Sequence, residues 1–75
     1  MKYVISLNGS FVGSYSFKDT ALDIAELIWC KLPEQDKKYS FVTIDECSDE
    51  VFKQYVNMGN DDDFLRDNSK LIREY

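Results

Sequence analysis

The chain has 75 residues with 9 basic and 14 acidic side chains, no histidine and a net charge of −5. A chain of this length forms one domain with a thin core, because only about 60% of the unfolded surface is buried at this size. The composition is 44% hydrophobic and 15% aromatic with three Gly and one Pro, which excludes a disordered chain. No apolar run reaches the roughly 20 residues of a membrane span, and the alternating N-terminus does not resemble a signal peptide. The sequence therefore predicts a cytoplasmic protein without membrane contact.

The chain has no histidine and only two cysteines, and both facts limit the chemistry that it can perform. Without histidine the chain has neither a Ser-His-Asp nor a Cys-His nucleophile, nor the usual zinc ligands. Cys30 and Cys47 lack C-x-x-C spacing and a secretory context, which favours two free buried thiols over a disulfide or a reactive thiol. The acidic run at 60–63 does not match a calcium loop, because Leu65 and Asn68 fall where acidic and Gly residues are needed. We expect no catalytic residue, metal or cofactor.

The N-terminal region predicts a β-hairpin, since Asn8-Gly9 separates two runs of β-branched and aromatic residues. A two-residue loop pairs Ile5 with Val12 and sends the apolar side chains of the two strands to opposite faces. Those side chains are Tyr3, Ile5 and Leu7 on one face and Phe11, Tyr15 and Phe17 on the other. A three-residue loop pairs Leu7 with Phe11 and unites them. Turn chemistry favours the two-residue loop, so one face would be covered by helices and the other left free.

A helix and a third strand follow the hairpin. The helix is predicted by apolar residues at helical spacing, candidate caps before them and Pro33 after them. The apolar residues are Ala21, Ile24, Ala25, Ile28 and Leu32, and the candidate caps are Ser16, Asp19 and Thr20. Residues 34–38 are predicted to be a loop, and residues 39–46 have strand composition. A right-handed crossover would place this strand antiparallel to the first, in the sheet order 2-1-3.

Two further helices are predicted in the last third of the chain. Ser48 followed by Asp49 and Glu50 marks a helix start, and Gly59 marks its end. The last helix begins at Asn60 or Asp61 and carries Phe64, Leu65, Leu71, Ile72 and Tyr75 on one side. The predicted fold is a single α+β domain over residues 1–75, β-β-α-β-α-α, with a three-stranded sheet and helices packed on one face.

Charge is unevenly distributed along the chain. Residues 1–44 are neutral, with five acids and five bases, whereas residues 45–75 carry nine acids and four bases. The lack of a basic stripe argues against direct nucleic-acid binding. An acidic surface can instead occupy a basic channel of another protein where phosphates would lie, although helix capping and solubility explain the same acids. The predicted partner-binding residues are Asp45, Glu46, Asp49, Glu50, Asp61, Asp62, Asp63 and Asp67, with Phe11 and Tyr15.

In size and charge the chain resembles the small inhibitors that bacteriophages and mobile elements make against host proteins, such as anti-CRISPR and anti-restriction proteins. That resemblance implies a non-enzymatic protein that binds the basic surface of a host nucleic-acid-processing or defence protein by partial nucleic-acid mimicry. The alternative is a homodimeric structural or interaction module of a cytoplasmic complex. It would be joined through the second sheet face or a strand edge, with Phe11, Tyr15, Phe17 or Tyr39 at the contact.

Overall fold

Eight secondary-structure elements follow one another in the computed structural model, which describes residues 1–75. They are β1 (Lys2–Leu7), β2 (Ser10–Tyr15), α1 (Lys18–Lys31), α2 (Glu34–Lys37), β3 (Val42–Cys47), α3 (Asp49–Asn57), α4 (Asp62–Asn68) and β4 (Lys70–Glu74). The α+β class and the first three strands are confirmed. The loop predicted at 34–38 is instead the one-turn helix α2, and none of the helices is long and apolar enough to cross a membrane.

The strands form one antiparallel sheet in the order β2-β1-β3-β4. The predicted 2-1-3 order and the antiparallel pairing of β1 with β3 are confirmed. The prediction of three strands is wrong, because β4 adds a fourth at the outer edge of β3. Val42 and Tyr75 exchange two backbone hydrogen bonds, of 3.1 and 2.8 Å, and fix the end of β4 to the start of β3.

The predicted last helix ends at Asn68 because two polar side chains cap its carbonyl groups. Asn68 Nδ2 donates to the Phe64 carbonyl at 2.8 Å, and Ser69 Oγ donates to the Leu65 carbonyl. Such local side-chain bonds compete with continuation of a helix. The chain turns at Ser69 into β4, which has a β-bulge at Ile72. Leu71, Ile72 and Tyr75 are spaced as on one side of a helix, yet Leu71 and Ile72 lie in a strand.

The hairpin has the predicted two-residue turn and an unpredicted β-bulge. Asn8 and Gly9 have φ angles of 54° and 82°, which suit a type I′ turn, and Leu7 pairs with Ser10. Ile5 then pairs with Gly13 instead of Val12, so Val12 is the extra residue of the bulge. The bulge reverses the side-chain alternation beyond it. Tyr15 therefore shares a face with Ile5, and the prediction that it shares one with Phe11 is wrong.

Helix α1 covers one face of the sheet, which we call the first face. Ala21 and Ala25 of α1 are fully buried there against Ile5, Val42 and Ile44. Small residues at these two positions let the helix approach the strands closely. The helix ends before Pro33 as predicted, but Phe17 occupies the N-cap position without a side-chain hydrogen bond, so the predicted caps are wrong.

Helices α3 and α4 cover the opposite, second face of the sheet. Tyr55 of α3 and Leu65 of α4 are fully buried against Val4 and Cys47. The predicted starts of both helices are confirmed, since Ser48 Oγ accepts from Val51 N at 3.1 Å and Asp61 caps α4. The prediction of helices on one face is wrong, because adjacent strand residues such as Val4 and Ile5 point to opposite faces and each meets a helix.

Candidate functional site

A cleft of about 280 Å³ lies on the second face, between α4 and the paired strands β3 and β4. We call it the acidic cleft. It is lined by Phe41, Thr43, Asp45, Asp62, Arg66, Leu71 and Glu74. It opens to solvent at the edge of the sheet, because β4 is the last strand and no element lies beyond it.

The pairing of β3 with β4 brings the strand residues of the cleft together. Asp45 lies opposite Leu71, and Thr43 lies opposite Glu74, with the Ile72 bulge between the two pairs. Without the bulge Glu74 would fall on the same face as Ile72, which packs against the first-face core. The bulge therefore directs Glu74 into the cleft.

Helix α4 supplies the remaining charges. Asp62 and Arg66 lie one turn apart, and Arg66 Nη2 donates to Asp62 Oδ2 at 2.8 Å. This is the one ion pair inside the cleft, so its arginine is already engaged. Asp45 and Glu74 form no ion pair, which leaves three carboxylates and one guanidinium and a formal charge of −2.

Asp45 is the most perturbed carboxyl group of the cleft. It is half-buried, and burial raises its pKa above the ordinary value. The contact with Ser69 lowers the pKa of Asp45. The negative charge of Asp62 raises this pKa further, and the positive charge of Arg66 lowers it. The Ser69 hydroxyl oxygen lies 3.4 Å from Asp45 Oδ1. Asp45 is therefore easier to protonate in the folded chain than in the unfolded one.

The predicted acidic residues do not all meet at one patch. Asp45 and Asp62 line the cleft, whereas Asp61 accepts from the backbone of Asp63 as the α4 cap, at 3.0 Å. Asp49 contacts the N-terminal amine at 3.3 Å. Glu46 alternates with Asp45 and points to the first face. The remaining acids, Glu50, Asp63 and Asp67, are exposed on α3 and α4.

Glu46 lies opposite Tyr3 in the sheet. A hydrogen bond to Glu46, followed by burial and the charge of Glu46, raises the pKa of Tyr3. Glu46 thus lies beside Tyr3, on the far side of the sheet from the acidic cleft.

The two predicted aromatic contact residues are separated by the sheet. Phe11 packs on the second face against Phe52 and Tyr55, with ring centroids 6.5 and 6.0 Å apart. Tyr15 is half-buried against the α1 core. The most exposed aromatic side chains are instead Phe17, at 74%, and Tyr39, at 86%.

Sequence reasoning missed five of the seven cleft residues, which are Phe41, Thr43, Arg66, Leu71 and Glu74. Leu71 and Glu74 were assigned to a helix, so their place beside β3 was not foreseen. The sequence signal for a helix end before Leu71 and Glu74 is Asn68-Ser69, because both residue types favour helix ends over helix interiors. Arg66 follows Asp62 at the i, i+4 spacing of a helical ion pair, which the sequence also displays.

Polar groups also lie buried beneath the second face. The hydroxyls of Ser6 and Tyr55 are buried and neither meets the geometry of a hydrogen bond. Burial raises the pKa of Tyr55, the charges of Asp62 and Asp45 raise it further, and the nearby Ser6 hydroxyl lowers it. Both hydroxyls therefore lie buried without a hydrogen-bond partner in the chain.

The cysteines differ from each other. Both are free, with Cys47 buried as predicted, whereas Cys30 is exposed on α1 and the prediction of burial is wrong. Burial, followed by the charges of Asp45 and Asp49, raises the pKa of Cys47, which makes its thiol a poor nucleophile. No group of three or more Cys, Asp or Glu side chains is placed to hold a metal ion.

Comparison with protein-family models, with curated proteins and with solved structures gives no match in any of the three.

Proposed function

We propose that the chain is a non-catalytic acidic protein that binds a basic surface of another protein through the acidic cleft. The observation that carries the proposal is the unbalanced charge of the cleft, in which the single arginine is held by Asp62. A cationic group entering the cleft would meet Asp45 and Glu74, which have no ion-pair partner in the chain.

The lining of the cleft suits a lysine or arginine side chain of the partner. Such a side chain has an aliphatic stem and a charged end. The stem would lie along Phe41 and Leu71, the latter 52% exposed, while the charged end reaches Glu74 and Asp45. The exposed acids around α4 would add long-range attraction and speed the encounter.

The chemistry of the chain supports binding over catalysis. It has no histidine, and burial together with the charges of Asp45 and Asp49 raises the pKa of its buried thiol at Cys47. The cleft lies at the edge of the sheet, whereas catalytic sites profit from a dry environment.

The specific partner we propose is a protein whose basic surface normally holds nucleic acid, as for the phage inhibitors that the chain resembles in size and charge. Carboxylates spaced along a rigid surface can occupy positions that phosphates would take. On this proposal the partner's nucleic acid competes with the chain for binding, and a partner that binds both at once contradicts it.

The direct test uses an oligolysine peptide as a defined probe and amide NMR of the labelled chain. Amide shifts are expected at Thr43, Leu71 and Glu74, and they should weaken between about 50 and 300 mM salt because such contacts are screened. Glu74→Lys should reduce the affinity at least about tenfold. Glu26→Lys, an equal charge change on the exposed side of α1, should leave it nearly unchanged.

Equal losses in the two variants would show that only net charge matters and would refute the cleft. A peptide of the same length with glutamine in place of lysine should cause no shifts. Capture from a lysate then identifies candidate partners, which count only if Glu74→Lys abolishes their capture and Glu26→Lys does not.

A second candidate function is that of a homodimeric interaction module, joined through a strand edge. Helices α3 and α4 cover the second sheet face, so we place the contact of such a dimer at a strand edge. The edge strand β2 carries no charged residue, and Val12 on it is 46% exposed, whereas β4 has three charged residues among five. Uncharged edges pair readily with other strands. A dimer through β2 should dissociate in Val12→Lys, and a concentration-independent monomer in sedimentation would refute it.

A further inference from the structure

Arg66 is the one cation in the lining of the acidic cleft, and it lies where the proposed function places a cation of the partner. Its Nη2 donates to Asp62 Oδ2 at 2.8 Å. The charges of both residues also act on Asp45, since that of Asp62 raises the pKa of Asp45 and that of Arg66 lowers it. A cation that enters from outside would therefore compete with the chain's own guanidinium group for the same carboxylates.

The two members of this ion pair are not held equally firmly. The Arg66 side chain is 67% exposed, and its guanidinium makes no other hydrogen bond or ion pair in the chain. The Asp62 side chain is only 31% exposed, and the hairpin turn lies against it, because a β-carbon at Gly9 would come within 3.5 Å of Asp62 Oδ2. The pair therefore opens by movement of Arg66 into solvent, while the Asp62 carboxylate stays in the cleft.

Opening this ion pair costs little free energy. Exposed ion pairs one helical turn apart are weak, because water screens the charges and two long side chains lose freedom when they are held together. A ligand that must first break such a pair loses only about two- to fivefold in affinity. Contact of the partner's cation with Asp62, in addition to Asp45 and Glu74, can offset this loss.

We propose that Arg66 is an internal competitor for the cationic group of the partner. In the free chain Arg66 occupies Asp62. In the complex a lysine or arginine of the partner takes its place, and Arg66 turns outward, so that the cleft offers three carboxylates instead of two. The proposal rests on the proposed function and names the contact inside the chain that sets the affinity of the cleft.

The first test measures the affinity of an oligolysine peptide for Arg66→Gln. The matched control is Arg73→Gln, the same charge change at the only other arginine, whose side chain lies over the Tyr75 ring and outside the cleft lining. Arg66→Gln should bind the peptide about two- to fivefold more tightly than Arg73→Gln does. Equal affinities of the two variants overturn the proposal.

A double-mutant cycle with Asp62→Asn separates competition from simple repulsion. Without the Asp62 carboxylate there is no ion pair to break, so Arg66→Gln should then improve the affinity no more than Arg73→Gln does. If the larger gain persists in the Asp62→Asn background, Arg66 acts on the peptide by its charge alone and is not a competitor for Asp62.

The exchange itself is followed by NMR of the Arg66 side-chain Nε–H group. When oligolysine is added to the natural chain, this signal should move towards its position in Asp62→Asn without peptide. A signal that stays in place while the amides of Thr43, Leu71 and Glu74 shift contradicts the displacement of Arg66 and overturns the proposal.

These experiments distinguish failure of the competitor from failure of the proposed function. If Glu74→Lys weakens peptide binding more than Glu26→Lys does, while Arg66→Gln and Arg73→Gln bind alike, the cleft is the binding site and Arg66 is not a competitor. If oligolysine does not bind, or if Glu74→Lys and Glu26→Lys weaken binding equally, the proposed function fails and the competitor fails with it.

Discussion

The two faces of the sheet are built from the same strands but differ in chemistry. The first face is closed by one helix over Ile5, Val42 and Ile44, a fully buried aliphatic core. The second face is covered by two short helices and buries Ser6, Tyr55 and Cys47. Three of the four groups with perturbed pKa values, Asp45, Cys47 and Tyr55, lie there.

This difference indicates a division of labour within a small domain. An aliphatic layer under a single long helix supplies stability without a fully buried polar side chain. Buried polar groups lower stability when their hydrogen bonds are incomplete, and they gather where a protein binds or responds. If the first face stabilises the fold and the second face carries the reactive and binding groups, substitutions on the two faces should change stability in different ways.

The largest effect is expected from Ile44→Ala on the first face. The side chain is fully buried between β3 and α1, so its truncation leaves a cavity and should lower the free energy of unfolding by about 3 kcal/mol. Urea unfolding measures the change. Ile24→Ala changes a half-buried position on α1 and should lower the free energy of unfolding clearly less. Equal costs at the two positions would mean that the first-face core is not closely packed.

An effect of opposite sign is expected on the second face from Tyr55→Phe. Its buried hydroxyl has no good partner, so removing it should raise the free energy of unfolding by about 1 kcal/mol. Thermal unfolding at neutral pH measures this gain. The control is Tyr15→Phe on the first face, for which a change within about 0.5 kcal/mol is expected. If Tyr55→Phe destabilises the chain, the hydroxyl is hydrogen-bonded and the contrast between the faces fails.

The smallest effect is expected at the surface, between Asp49 and the N-terminal amine. Both groups are largely exposed, so Asp49→Asn should cost no more than about 0.5 kcal/mol at low salt. The difference should vanish in about 1 M salt. Glu50→Gln removes a neighbouring acid from the same first turn without an ion pair and serves as the reference. A loss that persists in high salt would assign Asp49 a structural role beyond this pair.

Local sequence signals predicted most of the elements correctly. The Asn8-Gly9 turn, the Ser48 start and the Gly59 end of α3 depend on side-chain and backbone preferences within a few residues. The two β-bulges were missed because a bulge breaks the period on which strand prediction relies. Gly13 was a local sign of the first, since glycine inside a strand often marks a bulge. β4 was missed because Leu71, Ile72 and Tyr75 have a spacing that also fits one side of a helix.

The acidic cleft was only partly predictable. Asp45 and Asp62 were named from the charge of the C-terminal part, but charge along a sequence does not show which acids share a surface. Glu74 enters the cleft only through the bulge and the pairing of β4 with β3. Glu46 was named with Asp45, yet alternation along β3 sends the two to opposite faces. Long-range strand pairing decides both outcomes, and no local pattern encodes it.

The position of β4 at the edge of the sheet has a consequence for the motions of the domain. β4 pairs with one neighbour only, and its partner helix α4 has seven residues. Edge strands and short helices open at a lower free energy than central strands. In amide hydrogen exchange we expect β1 and β3 to be protected longest and β4 to exchange early. The wall of the acidic cleft would then open and close while the rest of the fold stays intact.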